Sequence, residues 1–171
     1  NLYDGGTSGN QIGFNGTPLE PNGQQAWSFS TLLRGVTPIT GRGTLLLTTD
    51  SPSLELYLDS GTSVGFSNDG SDVNVAAAVS GVQVLIWTFE PGVGVKVYRN
   101  TVSGLAQIGS TSVDVDATGY EFFNLCYFMS GSGGSDKVTT MDVAEFWGHP
   151  FLFTAPQLAA QAAYLAANGC I

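Results

Sequence analysis

The feature that most constrains the fold is a series of short apolar stretches that begins at Trp27 and recurs about every ten residues. Glycine, proline and small polar residues separate the stretches, and this spacing is typical of an antiparallel sandwich or barrel. The predicted strands are residues 26–33, 43–49, 54–58, 63–66, 73–79, 82–89, 93–98, 106–108, 120–129 and 138–147. The sequence therefore predicts an all-β fold in which two antiparallel sheets form a β-sandwich.

One pair of predicted strands forms a hairpin. Residues 83–89 are β-branched and aromatic, Glu90-Pro91-Gly92 is a turn signal, and residues 94–100 alternate between apolar and polar side chains. In the last strand, Met141, Val143 and Glu145 alternate with the even-numbered residues. Both patterns predict strands with one buried face.

A short helix is predicted after the last strand, over about residues 155–167. Thr154 is suited to cap it, and Pro156 is tolerated in the first turn because its missing N–H would have no helical partner there. Asn168-Gly169 ends the helix, since both residues accept left-handed dihedral angles. Three apolar residues recur at helical spacing, namely Leu158, Ala162 and Leu165.

The chain has the length of one well-cored domain. Residues 1–25 are rich in Gly, Asn, Ser and Thr and are predicted to be a lead-in or linker, so the sandwich domain is predicted to occupy residues 26–171. Because residue 1 is Asn and not Met, we expect a processed chain or a fragment of a longer one.

The charge balance argues against several classes of partner. Five Lys and Arg against fourteen Asp and Glu give a net charge of −9, which repels nucleic acid and anionic membrane surfaces. The chain has no apolar run long enough for a membrane helix, so no membrane insertion is expected. Charged residues make up 11% of the chain, about half the usual fraction, which favours an oligomer with packed subunit faces.

A resemblance to a known family rests on the hairpin, the strand at Tyr120, the strand 139–146 and the closing helix. The second hairpin strand contains Val95-Lys96-Val97-Tyr98-Arg99-Asn100, followed by Thr101 where the family usually has Gly. Over about residues 25–168 the chain resembles the laminin-G/concanavalin A-like jelly roll. The resemblance implies a jelly-roll sandwich with a short C-terminal α-helix.

Domains of that family occur in secreted lectins, in extracellular adhesion modules and at the tips of phage tail fibres. An acidic, glycine-rich chain with an alanine-rich final helix resembles the last group most. We therefore expect a non-catalytic viral recognition domain for host attachment, the receptor-binding tip of a phage tail fibre, located in the virion. Its partner would be bacterial surface polysaccharide or another cell-surface glycan, and the family implies a homotrimer.

Two alternatives to this function stay open. The first is a polysaccharide-degrading enzyme on the same fold, with Glu55 and Asp59 on one strand face, or another acid pair, as the catalytic carboxylates. Against the Glu55 and Asp59 pair, Tyr57 stands where a middle acid is expected. The second is a structural or adhesion module of an extracellular protein, which a Cys126 to Cys170 bridge and a glycosylated Asn15 would favour.

Serine-based catalysis is not predicted. The run Gly61-Thr62-Ser63-Val64-Gly65 matches the G-x-S-x-G pattern, but that motif requires a following helix, and strand or turn residues flank it here. The single histidine, His149, is interpreted as a polar surface residue in a loop.

A glycan site needs an aromatic platform and short polar side chains that reach the sugar hydroxyls. Trp27 and Trp87 are predicted to be core residues, whereas Trp147 is interpreted as core, the favoured interpretation, or as a platform. The candidate ligand-binding residues are Asn68, Asp69, Asp72, Asn100, Asp136 and Trp147. Of these, Asp69 and Asp72 are also candidate ligands for Ca²⁺, which prefers oxygen donors from loops.

Overall fold

In the computed structural model, the described residues are 12–15, 25–40, 42–48, 54–59, 63–68, 71–76, 81–101, 103–112, 122–125 and 138–169. The elements in chain order are β1 (Ile12–Asn15), β2 (Trp27–Thr40), β3 (Arg42–Thr48), β4 (Leu54–Asp59), β5 (Ser63–Asn68), β6 (Ser71–Ala76), β7 (Gly81–Glu90), β8 (Gly94–Thr101), β9 (Gly104–Thr111), β10 (Phe122–Leu125), β11 (Val138–His149) and α1 (Ala155–Gly169).

The strands form two antiparallel sheets, as predicted. One sheet has six strands in the order β1-β10-β3-β4-β5-β6, and the other has five in the order β11-β2-β7-β8-β9. Each predicted strand has a counterpart, and for the predicted strand 120–129 the described part is Phe122–Leu125. The segment predicted as a lead-in contributes β1, whose Ile12 pairs with Leu125 of β10.

The main core lies between the two sheets. Trp27 and Trp87 are both buried there, as predicted, and Trp27 stacks on Phe89 with ring centroids 5.4 Å apart. Burial of each large apolar side chain contributes about 1.5–3 kcal/mol, so this layer holds the sheets face to face. Its buried members are Trp27, Phe29, Leu33, Leu45, Leu56, Leu58, Val64, Phe66, Leu85, Trp87, Phe89, Val95 and Val97.

The hairpin formed by β7 and β8 has the predicted turn. The N–H of Val93 donates to the carbonyl oxygen of Glu90 over 3.0 Å, with Pro91 and Gly92 between them. Gly92 has a φ of 72°, which is the left-handed conformation that the third position of a type II turn requires. The Pro-Gly pair therefore fixes the register of β7 against β8.

The helix α1 covers the outer face of the five-stranded sheet. Its predicted stripe of Leu158, Ala162 and Leu165 is buried in a second apolar cluster. The sheet side of this cluster consists of Leu32, Val84 and Ile86, with Tyr98 and Leu105 at its margin. These residues alternate along their strands with residues of the main core, so β2 and β7 are buried on both faces.

The helix begins with a capping interaction. The side-chain Oε1 of Gln157 accepts from the backbone N–H of Thr154 (2.8 Å) and from the Thr154 hydroxyl (2.9 Å). This is the reciprocal half of a capping box, in which the third helical residue bonds back to the cap. The helix predicted over about 155–167 is confirmed, and its last turn extends to Gly169.

Strand β11 departs from the predicted alternation. Its register with β2 shifts between Val138 and Thr139, between Thr140 and Asp142, and between Val143 and Glu145. Because of the last shift, Val143 and Phe146 both pack on the main core, whereas Glu145 pairs with Leu32, whose side chain faces the helix. The prediction that Val143 and Glu145 share a face is therefore wrong, because a β-bulge moves each later residue to the other face.

The segment between β11 and α1 is tied to β2 by Ser28. The Ser28 hydroxyl donates to the carbonyl oxygen of Phe151 (2.9 Å) and accepts from the N–H of Phe153 (3.0 Å). Two residues further along β2, the buried Ser30 hydroxyl accepts from Nε2 of Gln161 in α1 (2.9 Å). The helix thus runs along β2 in the same direction as the strand.

We predict that Ser28→Ala lowers the free energy of unfolding by about 1–3 kcal/mol, because it leaves the buried N–H of Phe153 without its acceptor. Ser30→Ala is the matched control on the same strand and face. It releases a side-chain amide that water can solvate, so a smaller loss is expected. Urea unfolding of both variants measures the difference, and equal losses would contradict the assigned role of Ser28.

Candidate functional site

Two aromatic side chains form an exposed pair beside the helix. Trp147 of β11 is 44% exposed and Tyr164 of α1 is 47% exposed. Their ring centroids are 6.1 Å apart and the rings are nearly perpendicular, at 84°. This edge-to-face contact is a favourable geometry for aromatic rings, and it holds both in place while large areas face solvent. We call Trp147 and Tyr164 the aromatic platform.

A carboxylate fixes the platform from one side. Oε2 of Glu145 accepts from the indole Nε1 of Trp147 (3.1 Å), and Oε1 of Glu145 accepts from Nδ2 of Asn168 (2.6 Å). The indole therefore has its polar atom satisfied within the protein, which leaves the apolar faces of the ring for a ligand. Strand β11 and the last turn of α1 are joined at this point.

The helix terminus next to the platform is capped by a strand residue. Nη2 of Arg34 on β2 donates to the backbone carbonyl of Asn168 over 2.7 Å. The last turn of α1 has no basic residue of its own. Arg34 therefore supplies the positive charge that the negative end of a helix dipole favours.

The register of β11 explains why Trp147 points outward. The β-bulge before Glu145 sets the phase of the strand end, where Trp147 pairs with Ser30 and the neighbouring Gly148 pairs with Phe29. A Cβ atom on Gly148 would lie 2.7 Å from the Phe29 ring, so this inner-face position has no room for a side chain. The favoured interpretation of Trp147 as a core residue is wrong, because the strand ends with this side chain on the helix face.

Asn100 lies on the same sheet face as Trp147, but on the other side of the helix. It pairs with Val84, whose side chain faces α1, and is half-buried on β8. Three strand spacings separate β8 from β11, a distance of roughly 14 Å. The structure therefore does not bring Asn100 into the platform.

The other predicted ligand-binding residues are not placed at the platform. Asn68 and Asp72 belong to the β5–β6 hairpin of the six-stranded sheet, where Asn68 pairs with Ser71 and Asp72 with Ser67. Asp69 and Asp136 lie outside the described residues. Their role in ligand binding stays a prediction.

The same holds for calcium. Within the ranges that the structure describes, no group of three or more His, Cys, Asp or Glu side chains is placed to hold a metal ion. Asp72 is the second residue of β6 and pairs with Ser67, and Asp69 lies outside the described residues. Ca²⁺ at Asp69 and Asp72 stays a prediction.

The structure gives no support to the two catalytic patterns. Ser63 begins β5, which continues as a strand to Asn68, so the helix that a nucleophile elbow needs does not follow it. Glu55 and Asp59 stand four residues apart on β4, which is roughly 13 Å of backbone. The side chains of both acids lie outside the described part of the structure, so the acid pair stays a prediction.

Between these two acids, Tyr57 is buried. Its hydroxyl donates to Oδ1 of Asn74 on β6 over 2.9 Å, and the ring lies over Gly65 of β5. A Cβ atom on Gly65 would lie 2.8 Å from the tyrosine ring, so the glycine makes room for it. Tyr57 therefore has a structural role in the six-stranded sheet.

No protein-family model matches the chain, and no curated protein matches it. Several solved structures do match the chain. The CBM40 of Ruminococcus gnavus IT-sialidase has a TM-score of 0.65 at 13% identity, covering 91% of this chain and 93% of that one. The same CBM40 bound to α2,3 sialyllactose gives 0.60 at 14% identity, covering 81% of this chain and 82% of that one. The botulinum neurotoxin serotype D binding domain gives a TM-score of 0.66 at 11% identity.

The chain shares its fold with these binding domains. The match to the toxin domain covers 92% of this chain, but this chain spans only 41% of the toxin domain. At these identities the likeness establishes the jelly-roll-like β-sandwich, which confirms the predicted fold class. In the described part of the chain, no helix has the length and apolar character to cross a membrane.

Of the two platform residues, the sequence indicated Trp147 as a candidate but not Tyr164. It also did not indicate the supporting residues Glu145, Asn168 and Arg34. Tyr164 does carry a signal, because it is a large aromatic residue that lies off the buried stripe of a surface helix. The contacts of Arg34 and Glu145 with Asn168 depend on how the helix docks, and no local pattern reveals them.

His149 is not the polar surface residue that was predicted. It is half-buried, and its ring lies against Phe151 and Phe153 at centroid distances of 5.3 and 4.7 Å. Its Nε2 atom is buried and has no hydrogen-bond partner among the described residues. Desolvation by burial lowers the pKa of His149 below its usual value of 6.5.

We predict that the free energy of unfolding falls as the pH is lowered from 7 to 5. In this range the unfolded chain protonates His149 while the folded chain resists protonation, so the unfolded state binds more protons and stability is lost on the acid side of 6.5. Unfolding by urea at several pH values measures the effect. His149→Gln should flatten this part of the profile, and an unchanged profile in that variant would contradict the prediction.

Proposed function

We propose that this chain is a non-catalytic recognition domain that binds carbohydrate at the aromatic platform. The observation that carries the proposal is the exposed Trp147 ring, whose indole N–H is satisfied by Glu145 and whose edge is braced by Tyr164. A sugar presents an apolar C–H face and a rim of hydroxyls, which suits a flat aromatic surface with hydrogen-bonding side chains around it.

The structural neighbours support the same class of function. They are the sialyllactose-bound CBM40 and the toxin binding domain, both of which are binding domains on this fold. Fold alone does not fix function, so the argument rests on the site. In the platform, rigid aromatic rings and a fixed carboxylate are ready before a ligand arrives, which reduces the entropy cost of binding.

We further propose the finer role expected from the sequence, the receptor-binding tip of a phage tail fibre that binds bacterial surface polysaccharide as a homotrimer in the virion. What supports it is the composition, since a weakly charged chain suits packed subunit faces and polysaccharide surfaces that carry little charge. The exposed platform would then be repeated three times in one particle, and several weak sites would act together.

We predict that Trp147→Ala weakens glycan binding at least tenfold, about 1.4 kcal/mol, because the ring is the main contact surface. A glycan array of bacterial surface polysaccharides, followed by titration of the best ligand, measures the loss, with and without Ca²⁺. The control is Val93→Ala, which removes an equally exposed apolar side chain from the β7–β8 turn, beyond the end of β7 and two strands from β11. Equal affinities of the two variants would contradict the assignment of the site.

The finer role is tested by solution mass and by cell binding. We expect a trimer by light scattering, and selective binding to bacterial strains that is lost when their surface polysaccharide is removed. Release of reducing sugar during the incubation would favour an enzyme instead. A monomer that binds no strain would contradict the tail-fibre proposal while leaving the platform to be judged by the array.

A further inference from the structure

The charges around the aromatic platform bear on which glycans it accepts. Glu145 lies directly beside the ligand-facing ring, since its Oε2 is 3.1 Å from Nε1 of Trp147. Its other oxygen is bonded to Nδ2 of Asn168, so the carboxylate is held in position from two sides. Both partners are neutral groups, and neither cancels the negative charge.

Among the cationic side chains that the structure describes, Arg34 is the one bonded beside the platform, and its partner is the helix terminus. Nη2 of Arg34 bonds the backbone carbonyl of Asn168, at the negative end of the helix dipole. Its charge therefore compensates the helix terminus. This bond uses one of the five N–H donors of the guanidinium and holds the cation at the helix terminus.

The other described cationic side chains belong to different parts of the sheet. Lys96 of β8 pairs with Thr88 of β7, and β8 lies three strand spacings, roughly 14 Å, from β11. Arg99 pairs with Leu85, a residue of the main core, so it stands on the opposite face from the platform. Among the cationic side chains that the structure describes, neither of these two faces a ligand on Trp147.

The net charge of the chain acts in the same direction. At −9 the protein repels anions at long range, and physiological salt screens this repulsion over about 8 Å. Glu145 acts within that distance of any sugar on the platform. Local and overall charge therefore both oppose a bound carboxylate or sulfate.

We propose that the aromatic platform selects neutral glycans and rejects those with an acidic group next to the stacked sugar, with Glu145 as the residue that determines this specificity. The inference rests on the proposed carbohydrate-binding function and narrows it to a ligand class. It gives Glu145 two roles, positioning the indole and excluding anions.

The test compares matched neutral and acidic probes. Lactose and α2,3 sialyllactose, each displayed on a polymer, differ by one acidic sugar, and dextran, mannan, alginate and polysialic acid widen the set. Binding of these probes is measured for the unmodified chain, for Glu145→Gln and for Glu90→Gln. The Glu90 variant is the control, because it removes the same charge from the β7–β8 turn. Glu90 lies two strands from β11 and four residues along β7 from Ile86, the residue level with Trp147 across the sheet. Thermal unfolding checks that each variant is folded.

We expect the unmodified chain to bind a neutral probe at least tenfold tighter than its acidic counterpart. Glu145→Gln should narrow that ratio at least threefold, while Glu90→Gln should leave it unchanged. If Glu145→Gln does not fold, the salt dependence of binding by the unmodified chain is the test. Between about 20 and 500 mM salt, the affinity for the neutral probe should stay constant and the affinity for the acidic probe should rise.

Two results would overturn the inference, and they differ in what else they overturn. Binding of acidic probes as tight as neutral ones, abolished by Trp147→Ala, would leave carbohydrate binding at the platform intact and refute the selection by charge. No binding of any probe by the folded chain would refute the proposed function together with the inference.

Discussion

The docking of α1 on the five-stranded sheet is the interaction on which the rest of the structure depends. A 15-residue helix is only marginally stable by itself in water, even with an alanine-rich sequence. Leu158, Ala162 and Leu165 stabilise it by packing on the sheet, and Ser28 and Arg34 hold its two ends to β2. The platform exists only in this docked arrangement, because one of its rings comes from the strand and the other from the helix.

The two faces of β2 and β7 show how one short stretch of sequence serves two apolar layers. Alternate residues of these strands face the main core and the helix, and both sets are apolar or hydrogen-bonded. Such strands have no solvent-facing side over this length, which explains the nearly continuous apolar run of residues 83–89. The sequence predicted a hairpin with one buried face, but in the structure the helix also covers the second face of β7.

The fold was predictable where the signal was local. The Pro-Gly turn before β8, the capped helix start at Thr154 and the helical spacing of Leu158, Ala162 and Leu165 each act within a few residues, and the structure confirms them. The site depends on register and docking. A bulge in β11 sets the face of Trp147, and the contact of Arg34 with Asn168 joins residues 134 positions apart, so neither follows from a period in the sequence.

The exposure of Trp147 and Tyr164 has a consequence for how such a domain changes over generations. Neither ring belongs to the two apolar clusters that stabilise the sandwich, and exposed positions of this kind tolerate substitution at little cost in folding. Gly148, the residue of β11 that lies against the Phe29 ring, has no such freedom. Substitution can therefore change the chemistry of this exposed surface while the two apolar clusters beneath it stay the same.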